Sequence, residues 1–292
     1  MSAVVIGDAL IDEIVTREST SEFVGGAALN VAVGLSILGV PTSLVAMVGD
    51  DEDGEVIREF LRVHGITLIA THAPLGSARA SSVRTAGEPS YSFNAAARAR
   101  RIEFGPEAHA AIDAARLVVV SCFPFDDPAQ AEALRQSVSR PAERLVLDVN
   151  PRQGLMRDIA VFRREFEATA LESLLVKVGD EDAELLYQED PTVVARRLLA
   201  SGARNVFTTL GAEGAVLRTT DGVVVARPIT ALPEEIVDTM GAGDATLASI
   251  VASILSHPTK PTAEQWGVAL DRAMLLAAAT CRVPGATLQL AD

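Results

Sequence analysis

Leu117-Val118-Val119-Val120-Ser121 and Arg144-Leu145-Val146-Leu147-Asp148-Val149 are almost continuously apolar and rich in branched residues. A strand with one wet face alternates in polarity. Unbroken runs are expected where helices cover both faces of a sheet. Comparable short runs occur at 3–7, 42–48, 174–178 and 205–210. Between them lie apolar residues at helical spacing. These predict helices over 26–38, closed by Gly39 and Pro41, and over 53–63, ended by Gly65. Further helices are expected over 127–138, 162–171 and 191–200. Strand and helix alternate, so the expected fold is α/β, a mostly parallel central sheet in a three-layer α/β/α sandwich.

Two stretches, about 11–23 and 70–102, break the rhythm. They are rich in Ser, Thr, Ala and Arg. Short alternating runs occur at 79–84 and 91–93, separated by a Thr85-Ala86-Gly87-Glu88 turn. They predict a small antiparallel sheet extruded from the main body, with surface loops as the plainer alternative. There is no internal repeat, linker or low-complexity run, so residues 1–292 are expected to form a single domain.

The chain of 292 residues is 49% hydrophobic, enough for a sizeable core. No apolar run approaches the ~20 residues that span a bilayer. The opening Met1-Ser2-Ala3-Val4-Val5-Ile6-Gly7-Asp8 lacks a basic segment and reads as a first strand rather than a signal peptide. Cys122 and Cys281 stand apart, in no CxxC pair, and are expected to be buried free thiols. A reducing cytoplasm is the expected location. The formal net charge of −14 argues against a nucleic-acid partner, and nothing points to a membrane. The two lysines, Lys177 and Lys260, do not stand in GxxxxGK[ST], which excludes a P-loop. Any phosphate must be held by backbone amides, helix ends, metal ions and a few arginines.

Asp238-Thr239-Met240-Gly241-Ala242-Gly243-Asp244-Ala245-Thr246 precedes a helical run over 245–255. A Gly-Ala-Gly turn opening a helix leaves amide N–H groups pointing from its end, which favour a negative group. Asp244 sits at the same mouth. Transfer of a phosphoryl group needs donors around its oxygens and an acceptor for the proton of the attacking hydroxyl, and this turn supplies both. The plainer alternative is a tight turn with Asp244 as a helix cap. A Rossmann reading lacks the third small residue of its fingerprint and an N-terminal position.

Earlier, Gly25-Gly26-Ala27-Ala28-Leu29-Asn30 opens a helix, where paired glycines let a ligand approach the backbone. Val48-Gly49-Asp50-Asp51-Glu52-Asp53-Gly54 fails the calcium-loop pattern at its first and last ligand positions and reads as a turn and helix start.

These three segments, in this order and spacing, resemble the two signatures of the ribokinase-like (PfkB) family of carbohydrate kinases, and the likeness extends over essentially the whole chain. It is greatest to fructokinase-like members. The resemblance implies a ribokinase-like sandwich whose irregular stretches form a β-sheet lid. It implies transfer of the ATP γ-phosphate, with Mg²⁺, to a hydroxyl of a small sugar or polyol. Asp244 becomes the catalytic base, and Gly241, Ala242 and Gly243 the anion hole. Asp8, Asp12, Gly25, Gly26 and Asn30 become sugar contacts. Asp148-Val149-Asn150-Pro151-Arg152 resembles a DxNxR segment, with Arg152 facing phosphate or an acidic group. Thr209, Gly211 and Gly214 match a nucleotide-side TLGxxG turn, and Lys177 falls on the nucleotide side. Where the family has NxxE, this chain has Gly179-Asp180-Glu181-Asp182, so Gly179 replaces Asn and Asp182 would order metal-bound water. Asp238 and Arg282-Val283-Pro284-Gly285-Ala286 match the region where many relatives hold a monovalent cation, K⁺. Relatives that phosphorylate 2-keto-3-deoxygluconate often carry an Arg just after the lid tyrosine. Here none follows Tyr91 at once, and Arg98 is close. Some relatives dimerise through their lids, which this sequence leaves open. A non-catalytic sugar or nucleotide sensor on the same scaffold is the alternative that the altered Gly179 position raises.

Overall fold

A computed structural model describes residues 1–15, 19–83, 90–257 and 259–291. The chain opens with β1 (Ala3–Gly7), β2 (Leu10–Val15), β3 (Thr20–Gly25) and α1 (Ala27–Ile37). Next come β4 (Thr42–Met47), α2 (Glu52–Val63), β5 (Thr67–Thr71), β6 (Ala78–Val83), β7 (Ser90–Phe93) and α3 (Ala95–Arg98). The middle holds α4 (Pro106–Ala114), β8 (Leu117–Ser121), α5 (Pro128–Ser137), α6 (Pro141–Arg144), β9 (Leu145–Asp148) and α7 (Ile159–Ala170). Then follow β10 (Leu175–Gly179), α8 (Asp180–Tyr187), α9 (Pro191–Ser201), β11 (Asn205–Thr209), β12 (Ala215–Thr219) and β13 (Val224–Arg227). Helices α10 (Ala242–Ser256) and α11 (Ala263–Thr280) end the chain.

The large sheet has the order β13-β12-β11-β10-β9-β8-β1-β4-β5. Its pairings are parallel from β5 through to β11. The β12–β13 hairpin adds two antiparallel strands at one edge. The unbroken apolar runs are explained by burial on both faces. In β1, Ala3 and Val5 join the core beneath α1, α2, α10 and α11, whereas Val4 and Ile6 join the core beneath α4, α5, α7, α8 and α9. The architecture is the expected ribokinase-like α/β sandwich with a separate smaller sheet.

That smaller sheet has the order β3-β2-β6-β7. It is mixed rather than antiparallel, because β2 and β6 run parallel. The chain leaves after β3, builds α1 through β5, and returns in the original direction, and such a long crossover is what parallel pairing requires. The expected boundary at residue 70 also shifts, since Ala70 and Thr71 belong to β5 of the large sheet. The expected Thr85–Glu88 turn and residues 16–18 lie outside the described residues. The acidic stretch after β4 is a turn and helix start. Asp51 caps α2 by accepting from the Gly54 amide at 2.8 Å, and it also accepts from the Ser77 amide at 2.7 Å. Arg79 of β6 donates to Asp53 of α2 at 2.6 Å, which ties the small sheet to the body.

Helix α1 is buried from Ala27 to Leu35 because it lies between the sheet and α10. Gly34 permits this approach, as a Cβ there would stand 2.9 Å from the Ala248 Cβ. The close crossing brings the first turns of α1 and α10 together.

Candidate active site

Parallel strands end in loops on one edge of the sheet, where α/β proteins form their ligand clefts. The expected residues collect there. Asp8 follows β1, Asn150 and Arg152 follow β9, Gly179 ends β10, and Thr209 ends β11 in register with Gly179. Asp12 comes from β2 of the small sheet, above this edge. Two residues just beyond strand ends, Cys122 and Asn150, adopt left-handed backbone at φ 50 and φ 32. Such strain in a non-glycine residue concentrates at functional clefts.

Asp244 lies in the first turn of α10, after Gly241 at φ 77. A Cβ on Gly241 would meet the Ala286 carbonyl oxygen at 2.2 Å, so both the turn and its packing require glycine. The Ala242 amide meets the Thr239 carbonyl at a long 3.4 Å, and no preceding helical carbonyls stand before the turn. Asp244 is 7% exposed, and its Oδ2 accepts from Asn30 Nδ2 at 2.8 Å. Burial pushes its carboxyl up to about 7, helped by the Asp148 carboxylate and opposed by the Asn30 hydrogen bond, Lys177 and Arg152.

Asp12 is partly buried, and Gly25 lies directly beneath it, since a Cβ there would stand 2.1 Å from Oδ2. Burial raises the Asp12 carboxyl to about 7, with Asp8 adding to the rise, Arg152 opposing it and Asp238 adding again. Asp8 Oδ1 accepts from the Ala28 amide at 3.0 Å, which anchors it to the start of α1 just after Gly26. The Arg152 carbonyl accepts from the Leu155 amide at 2.8 Å, and its guanidinium stands near the carboxylates of Asp244, Asp8 and Asp182, which favour its charged form. One cationic side chain thus stands among the carboxylates of the cleft.

On the other flank, Lys177 of β10 is buried, and its Nζ lies 2.8 Å from Asp148 Oδ1. A Cβ on Gly243 would be 3.5 Å from that ammonium. Asp182, in the first turn of α8, accepts from the Gly179 amide at 2.7 Å through Oδ2. Burial raises its carboxyl, and Lys177 opposes the rise. Gly211 opens a short 3₁₀ turn and Gly214 follows it, with Gly211 near the Asp180 carboxylate. Asp238 accepts from the Met240 amide at 3.1 Å, and the Val237 amide donates to the Cys281 carbonyl at 2.8 Å. The stretch before the turn is therefore laced to the end of α11.

Arg98 is exposed at the end of α3, whereas Arg100 reaches inward and donates to Cys122 Sγ at 3.2 Å. Both cysteines are buried free thiols. Burial, then Asp8, pushes the Cys122 thiol up to about 12, so it stays protonated. Sequence reading gave Asp148 no role. The available signal was a lone acid in the apolar run Leu145-Val146-Leu147-Asp148 and a lone lysine in Leu175-Val176-Lys177-Val178. Buried charges in such strands require partners.

Among the described residues no cluster of three or more acidic, His or Cys side chains could cage a metal ion. A cation that arrives on phosphate oxygens and keeps several waters, as Mg²⁺ does, needs no such cage. No helix among the described residues is long and apolar enough to cross a membrane.

Comparison with known proteins gives this cleft its context. The fructokinase of Rhizobium leguminosarum bv. trifolii is 32% identical over 263 residues, covering 85% of this chain and 78% of that one. The 2-dehydro-3-deoxygluconokinase of Thermoproteus tenax is 28% identical over 251 residues, covering 80% and 73%. The structure of aminoimidazole riboside kinase from Salmonella enterica, complexed with aminoimidazole riboside and an ATP analogue, matches with a TM-score of 0.78 and 21% identity, covering 98% of this chain and 95% of that one. At that identity the likeness concerns the fold. The family model for pfkB family carbohydrate kinases matches residues 2–292, and the chain belongs to that family of kinases.

Proposed function

We propose that this kinase phosphorylates a hydroxyl of a small sugar or sugar-like polyol, fructokinase-like in preference, with Asp244 as the general base. The observation that carries the reading is the position of Asp244: a buried carboxylate in the first turn of a glycine-opened helix, within hydrogen-bonding distance of Asn30. Its proton affinity near neutrality suits a base that must release and accept a proton at physiological pH.

In this reading Asp12 and Asp8 accept from sugar hydroxyls, with Gly25, Gly26 and Asn30 completing the sugar side. A carboxylate has two acceptor oxygens and can take two adjacent hydroxyls. Asp244 receives the proton of the attacking hydroxyl. The amides of Gly241, Ala242 and Gly243 face the moving phosphoryl oxygens, where fixed dipoles need no reorganisation. Thr209, Gly211, Gly214 and Lys177 form the nucleotide side, and Arg152, on the substrate side, meets phosphate or an acidic group of the substrate. Mg²⁺ supplies charge neutralisation on the phosphates when bound, with Asp182 reaching it through water. Asp238 and the 282–286 stretch form the K⁺ site. The small sheet, which carries Asp12, acts as a lid that keeps water from competing for the phosphoryl group.

The test is ADP release over a panel of ketohexoses, aldoses, sugar acids and nucleosides. Turnover greatest with a neutral ketohexose supports the reading. Turnover confined to sugar acids or nucleosides would remove the fructokinase-like preference, and sugar binding without ADP formation would make the protein a sensor.

A further inference from the structure

The small sheet has two faces. Its register sets Leu10 beside Ala78, Ile11 beside Arg79 and Asp12 beside Ala80. Alternate residues of a strand share a face. Leu10, Ala78 and Ala80 pack with Ala97 and Leu155, so Asp12 belongs to the face that covers the cleft. Ile11 and Arg79 belong to the other face, where Ile11 joins the core beneath α2. There Asp51, the N-cap of α2, accepts from the Ser77 hydroxyl at 2.6 Å. Two residues further along each element, the Arg79 guanidinium meets both carboxylate oxygens of Asp53, at 2.5 and 2.6 Å. Its third nitrogen donates to Glu22 of β3 at 2.7 Å. In the order β3-β2-β6, a side chain rooted on β6 that reaches β3 must cross β2. Arg79 thus spans the back of the strand that carries Asp12. It ties that strand to α2 through a planar fork that matches a carboxylate at two points.

We propose that Arg79, held by Asp53 and Glu22, is a positioning residue that latches the small sheet over the cleft and keeps Asp12 in reach of the sugar. The proposal rests on the reading of Asp12 as a sugar contact. Connections of this sheet to the body include Gly26 before α1 and Gly76-Ser77 before β6. Gly26 and Gly76 adopt φ 107 and φ 84, which few other residues tolerate. A sheet hung on such joints can tilt unless a contact fixes it. Tilting would carry Asp12 away, and the apparent sugar affinity falls in proportion to the closed fraction. Asp53 lies in the first turn of α2, where the helix dipole favours its charge. The three side chains are partly exposed, Arg79 at 34%, Asp53 at 24% and Glu22 at 51%. Ion pairs so placed are individually weak and are screened by salt. That suits a lid, which must open again to release product.

The experiment is steady-state kinetics of the full chain, Arg79→Met, Asp53→Asn, Asp12→Ala and the double variant Arg79→Met/Asp12→Ala. The substrate is the sugar that the parent turns over fastest, at saturating ATP, with and without added NaCl at constant KCl and MgCl2. Arg79→Met should raise the sugar KM about three- to tenfold, with kcat and the ATP KM within about twofold. Asp53→Asn, which keeps the arginine and its pair with Glu22, should raise it by a smaller factor. In the parent the sugar KM should climb with NaCl toward the Arg79→Met value, whereas in Arg79→Met it should stay flat. A merely structural role would not carry that salt dependence. Because Arg79 acts through Asp12, its loss should add less than about twofold to the KM of Asp12→Ala. A folded Arg79→Met that keeps the parental sugar KM, while Asp12→Ala raises it, would overturn the proposal. Singles whose effects multiply in full in the double variant would overturn it too. An Asp12→Ala variant with an unchanged sugar KM would instead overturn the reading of Asp12, and the proposal with it.

Discussion

Asn30 Nδ2 donates to Asp244 Oδ2 at 2.8 Å, a buried hydrogen bond between residues 214 positions apart. It joins the first turns of α1 and α10, and it favours the ionised carboxylate that a base requires. The groups acting on Asp244 besides Asn30 are Asp148, Lys177 and Arg152. Removing Asn30 leaves those unchanged and withdraws one influence that lowers its proton affinity. We expect Asn30→Leu to move the acid limb of the kcat–pH profile above the parental position near 7, with kcat at pH 7 down by about three- to tenfold. The profile is recorded at saturating sugar, so that lost sugar contacts do not enter. An unmoved limb would separate Asn30 from the base.

Asp12 stands on the small sheet, over Gly25 and near Asp8. Its expected work is confined to the sugar. Asp12→Ala should raise the sugar KM by about tenfold or more and leave the ATP KM within about twofold. Steady-state kinetics with each substrate varied in turn provides the check. A change in the ATP KM alone would place Asp12 on the wrong side of the cleft.

Asp244 should cost the unliganded protein stability. Its folded-state carboxyl titrates at about 7, above the ordinary value of 3.8, so the folded chain binds that proton more tightly than the unfolded chain does. The stabilisation from protonation is complete below the ordinary range and is lost as pH rises through about 7. Asp244→Asn mimics the protonated form. It should raise the melting temperature clearly at pH 8 and by a smaller margin at pH 5. Equal shifts at both pH values in ligand-free melts would show that the buried charge is not the cause.

The legible parts of the sequence were those in which local pattern and burial agree. The unbroken runs in β1 and β8 could lie only inside a covered sheet, and the Gly-Ala-Gly turn could be read from residue types alone. The β12–β13 hairpin was not read, although Asp221-Gly222 marks its turn, because its edge strands are short and only partly buried. Helix α11 was also unread, although Thr262 and Gln265 form its capping box, because its polar start and Ala-rich body lack a strong stripe. The pairings Asn30–Asp244 and Asp148–Lys177 depend on helix crossing and strand register, which no local window contains. The parallel pairing of β2 with β6 was hidden for the same reason, since it is set by the long excursion between them.

The most direct measurement is the turnover of Asp244→Ala beside its affinity for ATP. Removing a positioned base should lower kcat by ~10²- to 10⁴-fold, while the ATP dissociation constant, read by calorimetry, stays within about threefold because the amides of the turn remain. A folded variant that keeps kcat within about threefold of the parent would show that this carboxylate takes no part in the proton transfer.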